Sequence, residues 1–254
     1  MPALTILILV GLLTLFAAPC NARMLTGEIE HSDQIAPIES NLRPGDIFNR
    51  NNLPAKAGAS LNDWYRIPTW LGGTWHKEVQ TDYYRYNYLT SSTDTSTHVQ
   101  KASSDGRWGT LKDPQGNLWQ FDPAPYSDIV DAGEETVVQI VRVSEPLESS
   151  ADRFVKRSID TQLRVDKVTG KIKSVESGEQ ITVFTPQSDV LIKRETSSKV
   201  FDHTGKAILR GKSFAYENRL GPFEPQNYYR GQDMRQLFQQ FLKQSGITAF
   251  LPIW

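Results

Sequence analysis

Ile67-Pro68-Thr69-Trp70-Leu71-Gly72-Gly73-Thr74-Trp75 is the stretch whose reading decides the fold. It is a short Gly/Trp-rich entry into a long run of β-patterned sequence. A glycine two residues before a tryptophan, at the head of the first long strand, suits the closed end of a small β-barrel. Lacking a Cβ, Gly73 lets backbone approach backbone, and the Trp75 indole is large enough to plug the barrel base.

From Gly73 onward a period of two dominates. Residues 74–88 suffice for a bent strand or a strand pair, and place Tyr84, Tyr86 and Tyr88 on one face. Turn chemistry predicts hairpins at Ser103-Ser104-Asp105-Gly106, Asp113-Pro114-Gln115-Gly116 and Asp202-His203-Thr204-Gly205. Thr169-Gly170 and Ser177-Gly178 punctuate two shorter strands, 171–175 and 180–185. In 154–165, Val155, Ile159, Leu163 and Val165 face one way, and Lys156, Asp160 and Arg164 the other. The sum is about nine to eleven strands joined mostly by short hairpins, the pattern of an all-β, antiparallel up-and-down β-barrel. Strand order is open at this point, so an open sheet or a sandwich stands as the alternative. Late in the chain Met234, Leu237, Phe238, Phe241 and Leu242 recur at helical spacing. They predict one amphipathic helix over 233–245, packed on the barrel's outer wall.

The flanks speak to compartment. Residues 4–18 are apolar apart from Thr5, Gly11 and Thr14, and the small residues Cys20 and Ala22 fit a secretory cleavage site after Ala22. Residues 1–22 therefore read as a signal peptide, and the protein as secreted or periplasmic. No basic residue precedes Arg23, so an uncleaved membrane anchor is the alternative, and lipid modification at Cys20 a third. Cleavage would leave no cysteine, hence no disulfide, thiolate metal site or cysteine nucleophile. Residues 23–61 carry few large apolar side chains and read as an extended or partly disordered lead-in. The alternative is an ordered strap anchored by Asp46-Ile47-Phe48 and Trp64-Tyr65. Residues 62–254 form the barrel domain. Lys plus Arg (28) nearly balance Asp plus Glu (29), which argues against a nucleic-acid partner. The absence of an Asn-x-Ser/Thr acceptor gives no support to a glycosylated surface protein.

Leu71-Gly72-Gly73-Thr74-Trp75 resembles the Gly-x-Trp that opens the first strand of lipocalins and related calycin barrels. That resemblance implies a cup-shaped barrel, Trp75 closing its base, and a basic residue near the last strand packing over the indole. Arg210 and Arg219 are the two candidates. The family's late Thr-Asp-Tyr signature is not matched, since Thr81-Asp82-Tyr83 follows the tryptophan too closely. Small haem-binding barrels of the nitrobindin type open similarly and hold iron through one late histidine. Here that would be His203, which sits in a turn facing solvent, so no cofactor is expected.

None of the four histidines, His31, His76, His98 and His203, pairs with another at metal-ligand spacing, and no metal is expected. There is no nucleophile elbow, phosphate loop or dinucleotide fingerprint. Charges such as Asp160, Glu176, Glu179, Asp189 and Glu195 read as the wet face of exposed strands. The aromatic side chains carry the stronger signal, and Tyr84, Tyr86, Tyr88 and Trp108, with His76 beside Trp75, are the candidate ligand-binding residues. The expectation is a non-catalytic barrel for a small hydrophobic or amphipathic ligand. The membrane enters only through an uncleaved or lipidated N-terminus. One alternative is an envelope or periplasmic interaction protein with a filled barrel, meeting a protein partner through its aromatic face or the tail Phe250-Leu251-Pro252-Ile253-Trp254. A further alternative is an enzyme on a calycin-like barrel, with His76 or a carboxylate pair as acid and base.

Overall fold

Antiparallel pairing of neighbouring segments accounts for most of the computed structural model, which describes residues 30–37, 42–53, 63–229 and 231–247. The expected signal segment 1–22 and the tail 250–254 lie outside the described residues. The strands are β1 (Trp64–Ile67), β2 (Gly73–Asn87), β3 (Ser92–Asp94), β4 (His98–Trp108), β5 (Leu111–Lys112), β6 (Leu118–Phe121) and β7 (Tyr126–Ala132). They continue with β8 (Glu135–Ser149), β9 (Phe154–Asp166), β10 (Ile172–Ser188), β11 (Leu191–Phe201), β12 (Ala207–Gly221), β13 (Tyr228–Tyr229) and β14 (Gln232–Asp233). One helix, α1 (Met234–Gln244), follows.

Nine strands make one sheet in the order β3-β2-β12-β11-β10-β9-β8-β7, with β4 also paired to β2 beside β3. The up-and-down connectivity from β7 to β12 is the expected one. The closed barrel is not what forms: the two ends of this order, β4 and β7, do not pair. Exposed polar side chains along these strands, Gln100, Lys101 and Asp105 on β4 and Asp128 and Asp131 on β7, suit edges that meet water rather than a further strand. The sheet nevertheless curls hard. Trp108 at the end of β4 reaches across to Phe154 on β9 and Phe184 on β10, with ring centroids 5.5 and 5.1 Å apart.

Two of the expected turns are strand instead. Ser103-Ser104-Asp105-Gly106 runs straight through β4, because Ser104, Asp105 and Gly106 are laddered to Lys77, His76 and Trp75. Ser177-Gly178 lies inside β10, with Gly178 paired to Asp160 on one side and Val200 on the other. The glycine serves packing here: a Cβ at Gly178 would stand 2.8 Å from the Asp160 carboxylate. The predicted turns at 113–116 and 202–205 do form, closed by Gly116 N–H to Asp113 O (3.0 Å) and Gly205 N–H to Asp202 O (2.9 Å).

A second, three-stranded sheet of order β1-β6-β5 covers one end of the curl, and α1 packs on it rather than on the wall of the large sheet. Met234, Phe238, Phe241 and Leu242 bury against Trp64, Leu111, Trp119 and Phe121. The aromatic rings gathered in this small cluster make it the better-matched apolar surface for the helix. Asp233 caps α1, its carboxylate accepting from the N–H groups of Arg235 and Gln236.

The lead-in lies across the sheet. Leu42, Phe48 and Leu53 cover Val138, Ile140, Leu163, Val165, Ile172 and Val175 on β8, β9 and β10. Farther upstream, His31 and Ser32 are tied to β10 and β11. The buried Glu179 carboxylate accepts from Ser32 N–H (2.7 Å), Ser32 Oγ (3.0 Å) and Arg157 Nε (2.8 Å), and faces His31 Nδ1 at 3.1 Å. An ionised carboxylate only accepts, so Nδ1 carries the proton, and neutral His31 accepts from Ser197 Oγ through Nε2 at 2.8 Å.

Candidate ligand-binding trough

Residues paired directly across antiparallel strands share a face, so the register defines the concave surface of the curl. Lys156, Thr182, Thr196, Ser213 and Asp82 line up across β9, β10, β11, β12 and β2. The next row is Ser158, Gln180, Ser198, Gly211 and Arg85. Toward the covered end the row is Phe154, Phe184, Arg194 and Ala215. Beneath it the buried Trp75, Leu71, Ile192 and Tyr65 close the base.

This surface forms a trough in three connected compartments. The innermost encloses about 430 Å³ and is lined by Trp108, Asp122, Lys156, Phe184, Arg194 and Glu217, among others. The middle one, about 390 Å³, is lined mostly by neutral hydrogen-bonding groups: Gln80, Ser158, Gln180, Thr182, Thr196, Ser198 and Ser213. The outermost, about 470 Å³, is bordered by Asp82, Arg85, Asp94, His98, Gln100 and Leu209. Trp108, Lys156, Phe184 and Arg194 belong to both the innermost and the middle compartment and form the neck between them. These volumes are those of small-molecule sites.

The charges near the neck are ordered. Lys156 Nζ lies 2.5 Å from Asp122 Oδ2 and 5.5 Å from the centroid of the Trp108 ring. Asp122 also accepts from Tyr65 O–H (3.1 Å) and Ser144 Oγ (2.7 Å). Arg194 pairs with Glu217 at 3.1 Å. Lys77, the register partner of Glu217, is buried on the same face. Burial pushes the Glu217 carboxyl up against the opposing pull of Arg194 and Lys77. Burial also pushes the Lys77 ammonium down, helped by Arg194 and countered by Glu217.

At the base, the Trp75 indole is fully buried and donates to Leu71 O at 2.8 Å. Of the two candidate basic residues the structure places Arg219 over it, the guanidinium carbon 4.1 Å from the ring centroid. Arg219 also donates to the carbonyls of Asp189 (2.7 Å), Gly72 (2.5 Å) and Trp70 (2.7 Å). Gly73 adopts φ +135°, and a Cβ there would stand 2.6 Å from both Arg219 and Gly221 O.

The candidate ligand-binding residues part company. Trp108 lines the trough. Tyr84 borders the outermost compartment, with Lys212 Nζ 5.9 Å from its ring. Tyr86 and Tyr88 pack edge-on at 4.9 Å, and Lys199, which belongs to the opposite face with Glu179, sits over Tyr88. His76 engages Asp105 at 2.6 Å and is not among the residues lining these compartments. The residues that sequence reasoning missed are the polar ones, Lys156, Arg194 and Glu217 with the Ser, Thr and Gln rows. Their signal was present, as the polar half of each alternating strand. Among the described residues no group of His, Cys, Asp and Glu is arranged to hold a metal, and no helix is long and apolar enough to cross a membrane. Comparison with family models, with curated proteins and with solved structures gave no match.

Proposed function

We propose that this is a secreted, non-catalytic binding protein of lipocalin-like design, open rather than closed, whose trough takes a small amphipathic ligand. The observation that carries the reading is the polarity gradient along the trough. Trp108 and Phe184, packed edge-on with ring planes 73° apart, offer an apolar wall at the neck, and seven neutral hydrogen-bonding side chains, from Gln80 to Ser213, follow it outward. A purely apolar ligand would leave those polar groups desolvated and unpaired, at a cost of about 1–3 kcal/mol for each one buried that way. An amphipathic ligand satisfies both parts. The lipocalin-like element of the proposal is supported by Arg219 packed over Trp75 behind Gly73.

Fluorescence titration with anilinonaphthalene sulfonate and its neutral analogue N-phenylnaphthylamine tests this. At least one should bind saturably at one site per chain, and Thr196→Trp, which fills the middle compartment, should abolish that binding in a folded protein. Absence of binding by both probes, or binding indifferent to Thr196→Trp, overturns the proposal.

A further inference from the structure

We propose that the neck of the trough is an anion seat, so that the ligand is a small organic monoanion: a carboxylate or sulfonate on a flat or aliphatic body. The inference rests on the trough being a binding site and adds the ligand's charge. Two cations, Lys156 and Arg194, converge with Trp108 and Phe184 as the four residues common to the innermost and middle compartments. An apolar body seated on the two rings therefore carries its head group between an ammonium and a guanidinium.

The donors at the neck suit one negative charge. Where the neck meets the innermost compartment stand two cations, Lys156 and Arg194, each with one carboxylate partner, Asp122 and Glu217. At the rim Asp105 and Arg107 also line the innermost compartment and offset each other. Asp122 is taken up by Lys156, Tyr65 and Ser144. Glu217 is paired with Arg194. Arg194 has five N–H donors and Lys156 three, so each retains donors beyond its own carboxylate partner. Charge-assisted bonds from a guanidinium fork and an ammonium are the strong kind for a carboxylate or sulfonate.

Why such cations are held here has a physical answer that fits a ligand better than stability. Ion pairs inside a sheet contribute little to stability after desolvation. The neighbouring positions Ala215 and Phe184 show that the row of Arg194 accepts apolar side chains. Apolar residues at Lys156 and Arg194 would have filled the neck and erased the passage between the compartments.

The two probes above share one ring skeleton and differ by the sulfonate, which isolates the charge. The sulfonate probe is expected to bind at least tenfold more tightly than the neutral one. That preference should collapse to within about twofold in the paired variant Arg194→Gln/Glu217→Gln, which removes both partners and leaves no orphaned carboxylate. Arg194→Lys, which keeps the charge, should retain most of it, and circular dichroism confirms that each variant is folded. Equal binding of both probes, blocked by Thr196→Trp, overturns the anion seat and leaves the trough proposal standing. A sulfonate preference that survives the paired variant also overturns it, by placing the anion elsewhere. Failure of both probes overturns the trough proposal itself.

Discussion

Gly73 is the residue whose role is most sharply determined. Its φ of +135° and the 2.6 Å clearances to Arg219 and Gly221 leave no room for a side chain. Gly73→Ala is expected to cost about 1–3 kcal/mol from backbone strain, with further loss if Arg219 is displaced. Gly106, on the neighbouring strand, has ordinary φ, and a Cβ added there would meet nothing within 4 Å, so Gly106→Ala should be neutral to slightly stabilising. Urea denaturation of the two variants side by side tests the contrast. His31 offers a second residue-scale prediction. Burial pushes its imidazole below the ordinary value, against the opposing effect of Glu179. Burial would push the Glu179 carboxyl up, but the bonds from Arg157 and Ser32 outweigh it and hold the group below its ordinary value. In both cases the folded protein binds fewer protons than the unfolded chain, so stability is present above the unfolded values and is lost on acidification. The stability advantage of the parent over His31→Gln should shrink as pH falls below the ordinary histidine value of about 6.5. A difference that grows on acidification would refute this assignment of the strap's anchor.

Among the elements, α1 was the easiest to read and its neighbour the hardest. Five apolar residues at helical spacing, an Asp at the start and a Gly after the end define it in sequence, and Asp233 and Gly246 flank it in the structure. Which surface it covers is decided by β1, β5 and β6: the turn at 113–116 marks β5 and β6 in the sequence, but not β1 or the separation of all three from the large sheet. Phe238 is fully buried between Trp64 and Trp119, at 4.8 and 5.6 Å. Phe238→Ala should therefore cost about 3–5 kcal/mol, and Asp233→Ala about 1 kcal/mol through loss of the cap. Thermal melts resolve a difference of that size; equal losses would mean that the helix is not packed on this cluster. The two false turns share a cause. Turn propensity at Ser103–Gly106 and Ser177–Gly178 is a local preference, and continuous ladders on neighbouring strands override it.

At the scale of the whole molecule, both faces of the sheet are in use. The concave face holds the trough. The opposite face is covered near β8–β10 by Leu42, Phe48 and Leu53, which turns an exposed apolar patch into core. Leu42 is 4% exposed, so Leu42→Ala should cost about 2–5 kcal/mol. Loss well under 1 kcal/mol in chemical denaturation would show that the strap contributes nothing to the core. By itself the sequence determined the all-β class, the helix, and which residues of a strand share a face, because pleat and helix periodicities are local properties of the chain. It marked Gly73 and Trp75 as the base, since that pair combines a backbone need with a bulky plug. The tertiary structure alone decided the direction of the curl. Alternation in 154–165 separates Lys156 from Val155 without saying which side becomes the inside. Polar residues of these strands thus line the trough, while apolar ones meet the strap, and Glu179, read as part of a wet face, is buried beneath Ser32. Curl, closure and the choice of Arg219 over Arg210 arise from contacts between strands distant in sequence, and no local pattern encodes them.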